Sequence, residues 1–252
     1  MINTKKDRKN LYLRLCNMDL KKKLSTLLKG QYHARIEDGK FVPNLPAMGI
    51  EAPWVYVQSS PARCDIYHRV FFDVLKMIPS YCRECYKVVV MPRTLVELFD
   101  LYELEREMGV PCKCGIELRK TDTRLYGGYF YCRGLEQGKE RYAEVRALID
   151  ERLSPETKVI LKRYCTEYEI GPDGQGPSDE LPPFTKEELD FEEYVLDHFP
   201  PIGFGTKQPD YLTAGVMVDW IHHAYMHGDE TYKEFTDGGP LFKPIVTYHD
   251  KE

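Results

Sequence analysis

The residues best suited to chemistry are eight cysteines, at positions 16, 64, 82, 85, 112, 114, 132 and 165. Cys82-x-x-Cys85 has the spacing that lets two thiolates reach one zinc ion, with Zn–S bonds of about 2.3 Å. Cys112-Lys113-Cys114 is a less usual half-site. In a flat strand, side chains at i and i+2 point the same way about 7 Å apart. A bend before Gly115 would have to bring those two sulfurs onto a common ion. The expected metal set is Cys82, Cys85, Cys112 and Cys114, with Cys132 and Cys165 as substitutes. Zinc is the expected ion and an iron–sulfur cluster the alternative. The three-cysteine loop of radical chemistry is absent. Reduced cysteines packed as small apolar residues account for the same pattern.

Two further groups could act on a substrate. Cys165 stands in Lys162-Arg163-Tyr164-Cys165-Thr166-Glu167, where two cations, a thiol, a hydroxyl and a carboxylate are consecutive or nearly so. With Arg133 nearby, Lys162 and Arg163 would bind an anion, and Cys165 and Glu167 would be the catalytic candidates. The same residues would also serve as a surface charge network. Cys64 precedes an expected helix, whose first amides stabilise a thiolate. His68 lies one turn further on. His223 and His227 have the i, i+4 spacing of a metal pair, but no glutamate follows His223 as general base. The glycine-rich stretches 171–176 and 203–206 lack a full phosphate-loop pattern.

Positioning these residues requires elements that the hydrophobic pattern supplies. Tyr86 to Met91 is a β-branched run and reads as a strand. Thr94-x-x-Glu97 is a capping box opening a helix, closed by Gly109 and Pro111. Gly115–Lys120 and Tyr126–Cys132 read as strands around a turn at Thr121–Arg124. A helix over Leu135–Leu153 and a strand over Thr157–Cys165 complete the order β-α-β-β-α-β, the split βαβ motif. The expected fold class is therefore α+β, a ferredoxin-like sandwich with N- and C-terminal helical extensions. Its strand order would bring Cys82, Cys85, Cys112, Cys114, Cys132 and Cys165 to one end of the sheet. Tyr129 and Tyr131 lie on the strand that carries base-stacking rings in RNA-recognition sheets of this topology. The match is partial: Leu125 replaces a glycine, and Gly128 stands where an aromatic belongs. Packing of these rings under flanking segments is the competing expectation.

Three regions follow. Residues 1–80 form a basic helical region with one short strand, Trp54–Gln58, followed after a turn by a helix over Asp65–Ile78. Residues 81–168 form the core. Residues 169–252 form an acidic helical region with a capping box at Thr185-x-x-Glu188, a helix over Tyr211–His227 and an extended tail. Residues 1–40 hold 11 Lys/Arg against 4 Asp/Glu, whereas 167–252 hold 5 against 19. The basic arm could meet nucleic-acid phosphate. With 252 residues, 42% hydrophobic and 30% charged, the chain can bury a substantial core. It has no apolar run of the length a membrane span needs, and its basic start is not followed by a signal-peptide core. A cytoplasmic location with reduced thiols is expected. The leading expectation is a zinc-stabilised intracellular binding protein associated with nucleic acid. The alternatives are an enzyme acting on an anionic substrate at the Cys/Lys/Arg-rich sheet edge, and a structural or oligomeric subunit.

Overall fold

The computed structural model describes residues 34–37, 40–43, 54–58, 64, 67, 71, 78–118, 122–165, 183–198, 208, 210–242 and 248. Residues 1–33 of the basic arm, most of the helix expected over 65–78, the glycine-rich stretches 171–176 and 203–206, and residues Thr166 and Glu167 lie outside these.

Strands β1 (Ala34–Glu37) and β2 (Lys40–Pro43) pair antiparallel in a separate two-stranded sheet. Residues 40–43 thus belong to a strand, although the Pro/Gly content of 39–53 reads as loop. Next come β3 (Trp54–Tyr56), the short helix α1 (Ser80–Arg83), β4 (Cys85–Met91), helix α2 (Leu95–Met108), β5 (Cys112–Ile116), β6 (Tyr126–Arg133), helix α3 (Leu135–Arg152) and β7 (Lys158–Arg163). Helices α4 (Lys186–His198) and α5 (Asp210–Met226) follow, then a 3-10 helix over Glu230–Phe235. The fold is a mixture of helices with an open, antiparallel five-stranded sheet, ordered β3-β5-β6-β4-β7.

Trp54–Tyr56, read from sequence as part of the N-terminal region, is the edge strand of this sheet. It pairs with β5, Val55 opposite Cys114. The Gln208 side chain accepts a hydrogen bond from the Tyr56 amide at 2.9 Å. Strand β5 also begins earlier than its sequence suggests. Cys112, Cys114 and Ile116 are buried at alternate positions, so the two cysteines lead the strand's period-2 pattern.

Alternation sorts the sheet into two faces. Val88, Val90, Cys112, Cys114, Tyr126, Phe130 and Cys132 join Leu95, Leu98, Leu101, Leu104, Val145 and Ile149 of α2 and α3 in one core. Val216, Trp220 and Ala224 of α5 extend it, with Trp220 edge-on to Phe99. Gly128 permits the close approach of α2. A Cβ there would lie 2.4 Å from Leu101 Cδ2 and 3.1 Å from Glu105 Oε1.

The helix ends follow local chemistry. Thr94 Oγ1 accepts the Glu97 amide at 3.2 Å, and Gly109 ends α2 in the left-handed region at φ 61°. The expected return bond of the box goes elsewhere. The Glu97 carboxylate accepts from the Arg93 amide at 2.8 Å, from the Arg93 guanidinium and from the Thr157 hydroxyl. At Thr185 both arms of the box form, at 3.0 and 3.2 Å. Asp229 ties three elements together: its carboxylate accepts from the Leu95 amide and the Tyr126 hydroxyl, both at 2.6 Å, and from Thr231.

Candidate functional site: a lysine between two thiols

The seven described cysteines are thiols, and the sheet divides those that sequence groups together. Cys112 and Cys114 point into the core, where the Cys112 thiol meets the Glu105 carbonyl at 3.8 Å. Cys132 is on that face too, its thiol 3.8 Å from the Phe130 carbonyl. Burial pushes all three thiols above their ordinary pKa range. Cys85 shares the reverse face with Lys87, and Cys82 is buried in α1. Common sheet end does not mean common face. Within the set Cys82, Cys85, Cys112 and Cys114, the register puts Cys85 on the opposite face of the sheet from Cys112 and Cys114. No group of three or more His, Cys, Asp or Glu among the described residues is placed to hold a metal.

Sequence reasoning missed Lys87. It occupies the third position of β4, opposite Tyr131 on one side and Lys162 on the other. Only 4% of it is exposed. Its Nζ donates to Cys85 Sγ at 3.4 Å and to Cys165 Sγ at 3.3 Å. A buried ammonium is costly without a countercharge, and like charges directly opposite on a sheet repel. Burial alone would lower the Lys87 pKa; interactions with Cys165 and Cys85 outweigh it and raise the value. Burial lifts the Cys85 thiol, with Lys87 pulling the other way. Both cysteines are half-buried.

The backbone explains how Cys165 arrives there. Regular alternation along β7 would set it on the helix-covered face, with Arg163. Tyr164 instead adopts φ 70°, a left-handed conformation that costs a bulky residue roughly 1–3 kcal/mol. Its amide still bonds the Cys85 carbonyl at 3.0 Å, so the reversal occurs at the last rung of the ladder. It swings the Cys165 thiol onto the face of Lys87. The buried Tyr164 ring, 4.8 Å from the Arg163 guanidinium, anchors the turn.

Cations surround this end. Arg163 Nε donates to the Arg83 carbonyl at 2.6 Å and lies 5.7 Å from the Tyr86 ring centroid. Arg133 stacks over Tyr81 at 3.8 Å, and Arg83 over Phe184 at 3.5 Å. The α4 carboxylate of Glu192 accepts the Ser80 amide at 2.8 Å, fixing the start of α1 beside them. Tyr131 has Lys87 5.7 Å from its ring centroid. Burial first, then Tyr56, Cys165, Cys64 and Cys85, raises its phenol well above the usual range. Cys64 is half-buried.

Tyr129 is buried, donates its hydroxyl to Glu117 at 3.3 Å, and is edge-on to Trp54. Lys113 lies 4.4 Å from the Trp54 ring and 5.5 Å from those of Tyr56 and Tyr129. The rings expected to stack on bases are engaged within the protein. His223 and His227 are 4.2 Å apart, and burial with the neighbouring imidazole pushes His223 down to about 4. No described helix is long and apolar enough to cross a membrane.

Searches of known families, curated proteins and solved structures find no match. Any functional reading therefore rests on the site itself.

Proposed function

We propose that this protein performs thiol chemistry on a small anionic substrate at the cationic end of its sheet, with Cys165 as nucleophile and Lys87 as its charge partner. One observation carries this reading: a buried lysine is held between two thiol sulfurs, and a left-handed tyrosine delivers one of them. The ammonium stabilises a thiolate on Cys165, and the thiolate is the reactive form of cysteine. Cys85, its thiol raised by burial, accepts from the ammonium as a neutral thiol and fixes the lysine. Arg133 and Lys162, whose strand positions share the face of Lys87, would steer an anion to the thiolate. We read the supporting scaffold as a ferredoxin-like core extended by β3, a reading that the strand order β3-β5-β6-β4-β7 supports. Zinc and nucleic acid, expected from the cysteine spacing and the basic arm, gain no support from the described geometry.

Charge discrimination tests the reading. Iodoacetate and iodoacetamide differ chiefly in the carboxylate. Peptide mapping after brief labelling should find Cys165 modified first. The anionic reagent should lead at low salt and lose its advantage as ionic strength rises, since screening shortens to about 8 Å at physiological salt. Equal, salt-independent rates for the two reagents would rule out an anion-selective thiol.

A further inference from the structure

We infer that Lys87 and Cys165 form an oxidation-driven covalent cross-link, a modification that makes the centre a redox switch. This inference rests on the thiolate reading above and deepens it. The atoms to be joined are Nζ and Sγ, 3.3 Å apart, within the roughly 3–3.5 Å of a near-attack arrangement. Burial of the lysine and the strand pairing on both sides of β4 hold that arrangement.

Hydrogen peroxide is the oxidant class. The Cys165 thiolate attacks one peroxide oxygen, the O–O bond breaks, S⁻ becomes S–OH and hydroxide leaves, to be protonated to water; sulfur loses two electrons. A neutral sulfenic acid no longer offers a countercharge, so the buried ammonium gives a proton to solvent and presents a lone pair. The amine nitrogen then attacks the sulfenic sulfur, the S–O bond breaks, water leaves and an S–N bond forms. Condensation of this kind is known for sulfenic acids with thiols and with nitrogen. A second peroxide inserts one oxygen between sulfur and nitrogen, releasing another water and giving S–O–N. Either link removes the lysine charge and the nucleophile together. Activity at the anion site is thereby shut off, and thiol reductants restore it.

The experiment treats the full chain with peroxide and maps peptides by mass. The expected product joins the peptides containing Lys87 and Cys165. Its mass is short of the two reduced peptides by two hydrogens, or carries one oxygen in addition, and dithiothreitol reverses it. Lys87→Arg keeps a cation beside Cys165 but lacks the primary amine. It should lose the cross-link completely. A Cys85–Cys165 disulfide that forms equally well in Lys87→Arg, or stepwise oxidation of Cys165 to sulfinic acid with Lys87 unmodified, would overturn the inference while leaving the thiolate reading intact. Slow iodoacetate labelling of the untreated wild type would instead overturn the reading beneath it.

Discussion

Lys87→Met should slow alkylation of Cys165 at neutral pH by roughly tenfold. Two unit charges near 4 Å attract by about 4 kcal/mol at an effective dielectric of 20. Half of that would change the thiolate population about thirtyfold, since 1.4 kcal/mol is a factor of ten. A more basic thiolate is also a better nucleophile, with a Brønsted slope of about 0.4–0.5, which returns part of the loss. Methionine has nearly the length of lysine and keeps the packing against Tyr131, so the fold should persist. Its thermal stability should change little, because Cys165, left without its countercharge, takes up a proton and is not stranded as a lone anion. Cys165→Ser should abolish the fast labelling phase, and Cys85→Ser should leave most of it. Labelling of Lys87→Met at the wild-type rate would show that the ammonium does not activate the thiol.

Glu105→Leu should stabilise the protein, increasingly so as pH rises. Glu105 is 0% exposed, and the groups that meet its carboxyl are the weakly donating thiols of Cys114 and Cys112. It lies over Gly128 with Cys112 and Cys114 as neighbours. Burial holds its pKa well above the carboxylate range. Below the unfolded-state value both folded and unfolded chains carry the proton, and the group adds no pH dependence. Above it the unfolded chain releases the proton while the folded chain retains it, so folding weakens by up to about 1.4 kcal/mol per pH unit until the folded value is passed. Removing the buried carboxyl also relieves about 1–3 kcal/mol of desolvation. Urea unfolding at pH 5, 6 and 7 should show a widening gain for the leucine variant. Glu105→Gln should flatten the pH slope without the full gain. Parallel wild-type and Glu105→Gln profiles would show that this carboxyl is not the group that titrates.

Much of the fold was legible because local patterns agree with it. The β-branched run of β4, the alternation of β6, and the threonines at 94 and 185 each specify their element without tertiary help. The edge strand Trp54–Tyr56 was legible as a strand, but its partner was not. Its contact with β5 spans almost sixty residues, and three residues carry little register information. For the cysteines, strand order revealed the shared end, while parity decides the face. Counting Cys85 with Lys87, and Cys112 with Cys114 and Ile116, would have separated them. No such count could bring Cys165 to Lys87. The positive φ of Tyr164 reverses the alternation, and nothing in a tyrosine announces it. Glu105 left a fainter trace. It adjoins Leu104 on the stripe Leu98, Leu101, Leu104 and Met108, where a solvated glutamate does not belong.

The centre stands on a charge separation that ultraviolet absorbance reads directly. Thiolates absorb where thiols do not, and a difference spectrum between wild type and Cys165→Ser at neutral pH counts the anion at that position. One thiolate missing from the variant, and missing again from Lys87→Met, is the outcome expected of a lysine held between two sulfurs. Superimposable spectra for all three proteins would mean that Cys165 is an ordinary neutral thiol, and the proposed nucleophile and its cross-link would both fall.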